Sequence, residues 1–135
     1  MIPCVIPRVV GLSHAAVGRT AKSIIVKKTI SHIAVDIFLS NGHTLGLMHP
    51  IISDGNQTIF YGSDLFPTAT HIPVQWVMSY DIQPMITIQE KNKLLKKMHE
   101  ENWILFFEHD PNFQACTINW AGNKYNKKDS VTISE

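Results

Sequence analysis

The sequence predicts a mixed α/β (α+β) domain in which one long amphipathic helix covers a sheet, and three observations carry that expectation. Short apolar runs rich in β-branched residues fill the first half of the chain. One helical pattern opens at Thr87. Strand-length apolar runs then return at Trp103 to Phe107 and Ala115 to Trp120.

Taken in order, residues 1 to about 22 are irregular, with Gly11, Gly18 and the basic Arg19 and Lys22. Met1 to Leu12 is apolar but broken by Pro3, Pro7 and Arg8, so neither a signal peptide nor a membrane span is expected. Ser23 to Val26 and Ile33 to Leu39 read as strands, the second ended by the turn pair Asn41-Gly42. Leu45 to Ser53 and Gln57 to Tyr61 flank Asp54-Gly55-Asn56, which predicts a β-hairpin. Pro73 to Tyr80 is expected to form one or two helical turns from its proline. Thr87-Ile88-Gln89-Glu90 has the form of a capping box opening the main helix. Leu94, Leu95 and Met98 form its apolar stripe, with Lys91, Lys93, Lys96, Lys97 and Glu100 facing water, and it should end near Glu101-Asn102. Gly122-Asn123 reads as a turn, Asn123 to Asp129 as a polar loop, and Val131 to Ile133 as a last short strand. Trp76, Trp103, Phe106 and Phe107 are expected in the core.

The totals bound the function. A chain of 135 residues, 44% hydrophobic and 17% charged, is one folded domain with a modest core. A net charge of +1 offers no field for nucleic acid or an anionic membrane. Two cysteines, Cys4 and Cys116, make no disulfide framework, so a cytoplasmic location is expected. Cys116, inside an apolar strand, is expected to be buried and inert.

Three apolar runs end on residues able to bind a metal: Gly42-His43-Thr44, Gly62-Ser63-Asp64-Leu65-Phe66 and Glu108-His109-Asp110-Pro111. A sheet fixes the spacing of its strand ends, so ligands placed there converge on one rim. Two imidazoles and a carboxylate suit zinc or another first-row ion. Each stretch alone also has a plainer reading: a satisfied polar histidine, a turn aspartate, a loop start.

The set, in this order and spacing, resembles the later motifs of the metallo-β-lactamase superfamily. The resemblance runs from about Phe38 to Ile118 and includes His71-Ile72-Pro73, Trp76 and Tyr80-Asp81. It is closest to hydrolases with a Gly-His-Thr-Pro-Gly-His stretch, here Gly42-His43-Thr44-Leu45-Gly46-Leu47. The resemblance implies that His43, Asp64 and His109 are metal ligands, with Asp64 bridging two metals. It implies zinc, or iron or manganese, as cofactor. Asp110 would orient an imidazole from behind, and His71 would face substrate or water. The implied activity is metal-activated hydrolysis of an ester, lactone, thioester or phosphodiester.

The chain also departs from the pattern. It has no His-x-His-x-Asp-His segment, which supplies the family's other ligands, and Leu45 and Leu47 replace a proline and a histidine. Residues 1–35 are therefore expected to be a divergent segment, and residues 36–135 the C-terminal half of an αββα sandwich. Such a half exposes an inner apolar sheet face. A homodimer, or a separate chain supplying the N-terminal half, is the expected partner. The function expected is that of a truncated hydrolase, inactive alone; the alternatives are a non-catalytic remnant, a partner-binding half-domain, or a single-ion protein built on the same three ligands.

Overall fold

The computed structural model describes residues 22–25 and 32–134. The elements are β1 (Lys22–Ile25), β2 (Ala34–Ser40), β3 (Leu47–Ser53), β4 (Thr58–Tyr61), α1 (Pro84–Glu100), β5 (Ile104–Phe106), β6 (Ala115–Trp120) and β7 (Tyr125–Ser134). Short 3-10 turns lie at Ser63–Leu65 and Ala69–His71. The described strands form one sheet in the order β1-β7-β6-β5-β4-β3-β2. It is mixed: β4–β5 and β1–β7 pair parallel, the rest antiparallel. A parallel pair needs a crossover, and α1 lies in the one between β4 and β5.

The expected hairpin forms. Ser53 pairs with Thr58, Asp54 N–H donates to the Gln57 carbonyl at 3.2 Å, and Gly55 sits at φ +86°, where a side chain would be strained. The Asp54 carboxylate accepts from the N–H groups of Asn56 and Gln57, an Asx-type closure.

Successive strand residues face opposite sides of a sheet, so each strand contributes to two clusters. Phe60, Leu105, Cys116 and Ile118 pack with Leu94, Leu95 and Met98 of α1 and with Trp103 and Phe107. Burying each of the three helix residues contributes about 1.5–3 kcal/mol. Ile104, Ala115 and Val131 form a smaller cluster on the other face. That face continues onto β2 and β3 as Val35, Ile37, Leu39, Met48 and Ile52, which are 40–63% exposed. The exposed apolar sheet face expected from the sequence is present among the described residues.

Six local expectations are corrected. The main helix starts at Pro84, not Thr87, because proline suits the first helical position and Gln83 is its N-cap. Thr87 and Glu90 therefore make no capping box; both reach out to other segments. Lys91 does not face water but is fully buried. Pro73 to Tyr80 forms turns instead of helix, and Trp76 in it is 58% exposed, while its carbonyl is held by Lys91. Asn123 to Asp129 is no loop: from Tyr125 onward it is strand, because pairing with β6 satisfies its backbone, and Lys127 lies over the Phe113 ring.

Among the described residues, no helix is long and apolar enough to cross a membrane. Cys116 is a free, fully buried cysteine whose thiol is pushed up to about 12 by burial, so it is inert as expected. Cys4 lies outside the described residues.

Candidate functional site

His43 follows β2 in a loop that α1 holds from behind. The Glu90 carboxylate accepts from Asn41 N–H at 2.7 Å and Gly42 N–H at 3.2 Å. The Gly42 and His43 carbonyls accept from the N–H groups of Gln83 and Ile82 at 2.8 and 3.1 Å. Gly42 packs so tightly on Thr87 that a Cβ there would overlap its backbone and hydroxyl. The glycine is required by this close approach, not by a turn conformation.

Asp64 follows β4, which ends at Tyr61. Gly62 N–H donates to the Phe106 carbonyl at 2.8 Å, tying the end of β4 to that of β5. Ser63 then adopts φ +43°, a left-handed conformation that costs a serine about 1 kcal/mol or more. This turn presents the Asp64 carboxylate, and the Ser63 hydroxyl donates to Glu108 at 3.3 Å. His109 follows β5, with its N–H on the Pro67 carbonyl at 3.3 Å.

The structure brings the three expected ligand positions together around Asp64. His43 Nε2 lies 3.7 Å from Asp64 Oδ2, and His109 Nε2 lies 3.1 Å from Asp64 Oδ1. Each carboxylate oxygen thus has one imidazole beside it. His43 is well covered, its side chain 13% exposed, whereas His109 is 51% exposed. Glu108 Oε2 approaches His109 Nε2 at 3.9 Å, at the border of an open cavity of about 620 Å³ walled by Tyr61, Phe106 and Phe107. Burial and the Glu108 carboxylate together raise the Tyr61 hydroxyl above its ordinary value.

The carboxylate that orients an imidazole is Asp81. Its Oδ1 lies 2.8 Å from His43 Nδ1 and its Oδ2 accepts from the Thr87 hydroxyl at 2.9 Å. The contact keeps a proton on Nδ1, since a carboxylate only accepts, and leaves Nε2 facing Asp64. Tyr80 closes over His43 with ring centroids 5.6 Å apart. Asp110, expected in that role, accepts instead from the backbone N–H groups of Ala69, Asn112 and Phe113 at 2.7–2.9 Å. It organises the loop that carries His109. His71 shares a hydrogen bond with the Thr68 hydroxyl at 2.8 Å, and burial followed by the Lys91 charge lowers its pKa.

Sequence reasoning gave no role to His49, which is fully buried on β3. Its Nδ1–H donates to the Tyr61 carbonyl at 3.1 Å and its Nε2 accepts from the Ser40 hydroxyl at 2.8 Å. Burial lowers its pKa, so it supports the start of the Asp64 turn as a neutral ring. A histidine alternating in register with core residues was the available signal.

The donor chemistry suits a divalent first-row ion, but the described residues do not complete a centre. Two imidazoles and one carboxylate fall short of the roughly four donors that each zinc needs. Among the described residues no group of three or more His, Cys, Asp and Glu side chains is arranged to hold a metal ion. In this arrangement His109 hydrogen-bonds Asp64 directly. No reaction step through a metal follows from these residues alone.

No family model matches the chain, and no curated protein matches it. Solved structures do match. AidC, a dizinc quorum-quenching lactonase solved with the product N-hexnoyl-L-homoserine, superposes with a TM-score of 0.64 at 23% identity, covering 81% of this chain and 37% of the lactonase. A probable metal-dependent hydrolase from Staphylococcus aureus gives 0.61 at 27% identity, covering 73% of this chain and 36% of that one. The hydrolase AbOPH of the β-lactamase superfamily gives 0.62 at 16% identity, covering 70% and 34%. The chain therefore spans about a third of the length of the structures it matches. Its described residues have the metallo-β-lactamase fold, in the part that forms the C-terminal half of that superfamily's hydrolases.

Proposed function

We propose that this chain supplies one half of a metal-dependent hydrolase centre, with His43, Asp64 and His109 as ligands and the remaining ligands coming from another segment, of this polypeptide or a second one. The observation that carries the reading is the convergence of both imidazoles on Asp64, with Asp81 holding His43 so that Nε2 faces it. Zinc is the metal proposed, with iron and manganese as alternatives that the same donors accept. When bound, such an ion polarises a scissile carbonyl or phosphoryl oxygen and activates water. The chain's own contribution is to fix the ligand geometry: Asp81 and Thr87 set His43, and the Ser63 turn sets Asp64. Esters, lactones, thioesters and phosphodiesters are the substrate classes, and the lactonase among the structural neighbours favours lactones. Alone, these residues do not catalyse, because each metal position lacks donors.

A second reading is favoured by the exposed apolar face of β2 and β3: a non-catalytic half-domain that docks through it. In either case the face is covered by a second copy or by a chain supplying the missing half. The reducing cytoplasm fits a free, buried Cys116.

The test is bound zinc, iron and manganese per protomer by elemental analysis, with the mass from size exclusion in the same run. About one tightly held metal per protomer, lost in His109→Ala, supports the hydrolase half. A folded, metal-free dimer sinks metal binding by this chain alone and leaves a partner-dependent half-enzyme or the docking module.

A further inference from the structure

One charge on α1 is fully buried, and nothing in the proposed chemistry uses it. Lys91 has no exposed surface. Its Nζ donates to the carbonyl oxygens of His71 at 2.6 Å, Pro73 at 3.0 Å and Trp76 at 2.7 Å. An ammonium has three N–H donors, so these acceptors match its capacity. The Phe66 ring lies 5.5 Å from Nζ and closes the site. Burial pushes the ammonium down to about 8, with Asp81 acting in the opposite direction from a distance.

Burying an ammonium against carbonyls alone is costly, and a methionine could fill a similar volume. The gain lies in what the three carbonyls belong to. Residues 72–76 form neither helix nor strand; Ile72 is anchored in the main cluster, but the course from Pro73 to Trp76 is set by a single backbone turn and by Lys91. They lead directly to Tyr80 and Asp81. Thr87 lies one helical turn before Lys91, on the same side of α1, and holds the Asp81 carboxylate. The helix thus grips this segment at two points, Lys91 on the stretch that leads to Tyr80 and Asp81 and Thr87 on Asp81 itself.

We propose that Lys91 is a positioning residue: by clasping the carbonyls of His71, Pro73 and Trp76 to α1, it sets Asp81 against His43 Nδ1 and so keeps Nε2 directed at Asp64. Its functional consequence rests on His43 being a metal ligand, but the positioning itself does not.

The test uses the full chain, metal-free and 15N-labelled, at one pH. Long-range 1H–15N spectra report the His43 tautomer, and amide hydrogen exchange reports the segment. In Lys91→Met, His43 is expected to leave its single Nδ1–H tautomer for a mixture. The Trp76, Asp81 and Ile82 amides should exchange at least about tenfold faster, while those of Leu94 and Leu95 stay protected. Thr87→Val should release the tautomer without accelerating Trp76. If Lys91→Met does not fold, Lys91→Arg is read in the same way, since a planar fork does not reproduce the tetrahedral donor directions of an ammonium. The proposal is overturned if the segment loosens while His43 keeps its Nδ1–H tautomer, or if neither changes. Failure of the hydrolase reading would appear separately, as absent metal uptake in a chain whose His43 tautomer still follows Lys91.

Discussion

His43 and His49 lie close in sequence and show what burial does to one side-chain type. His43 keeps Nε2 towards the Asp64 carboxylate because Asp81 takes the other nitrogen. Replacing Asp81 with Asn should lower zinc affinity about 10- to 100-fold without unfolding the chain, checked by competition with a zinc chelator. His49 spends both nitrogens on the fold, and its pKa lies below the ordinary histidine value of 6.5. A depressed folded pKa means that the unfolded chain binds the proton first. Its contribution is therefore complete above pH 6.5 and is lost as pH falls towards the folded pKa. Urea denaturation should show stability falling below that pH, and His49→Gln should flatten the fall. Lys91 has the opposite protonation preference from an ion-paired lysine. Because its folded pKa is about 8 against an ordinary 10.5, the cost of burying the charge is full below 8 and is relieved as pH rises towards 10.5. Stability should rise across that window in the native chain but not in Lys91→Met.

At the scale of elements, α1 serves the site as much as the core. Its inner face gives Leu94, Leu95 and Met98 to the main cluster. Its first two turns give Thr87, Glu90 and Lys91 to the segments around His43. Thr87 and Glu90 fit a local capping box, but long-range partners win because Pro84 and Gln83 already begin the helix. Gly42 is where loop and helix meet, and Gly42→Ala forces one away from the other. The expected loss is about 1–3 kcal/mol in urea denaturation, with weakened metal binding because His43 is the next residue. Hairpin, helix end and strands were legible because their signals are local. The strand at Tyr125–Ser134 was not, because its lysines and asparagines are carried by pairing with β6.

For the molecule as a whole, the sheet is covered by a helix on one face and has a thin cluster with exposed apolar strands on the other. Val35, Ile37 and Leu39, each more than half exposed, share one side of the edge strand β2. Such a face on an edge that no described strand pairs invites association. If a second copy covers this face, as proposed, Ile37→Lys combined with Leu39→Lys should shift the size-exclusion mass from dimer to monomer. The melting temperature should change by only a few degrees, because neither side chain is in the main core. Retention of the dimer would place the interface elsewhere.

The sequence by itself determined the mixed sheet with one long helix, the Asp54-Gly55 hairpin, and three candidate ligands, two imidazoles and a carboxylate, at three strand ends. Those features rest on periodicity, turn chemistry and motif order, which are written along the chain. Only the tertiary structure decided which carboxylate orients His43, since Asp81 and Asp110 are equivalent in composition and differ in what folds beside them. Only the structure turned Lys91 inward, against the expectation for a lysine on a charged helix. Its three acceptors lie on a segment 15 to 20 positions earlier in the chain, and no local pattern encodes a contact closed by packing.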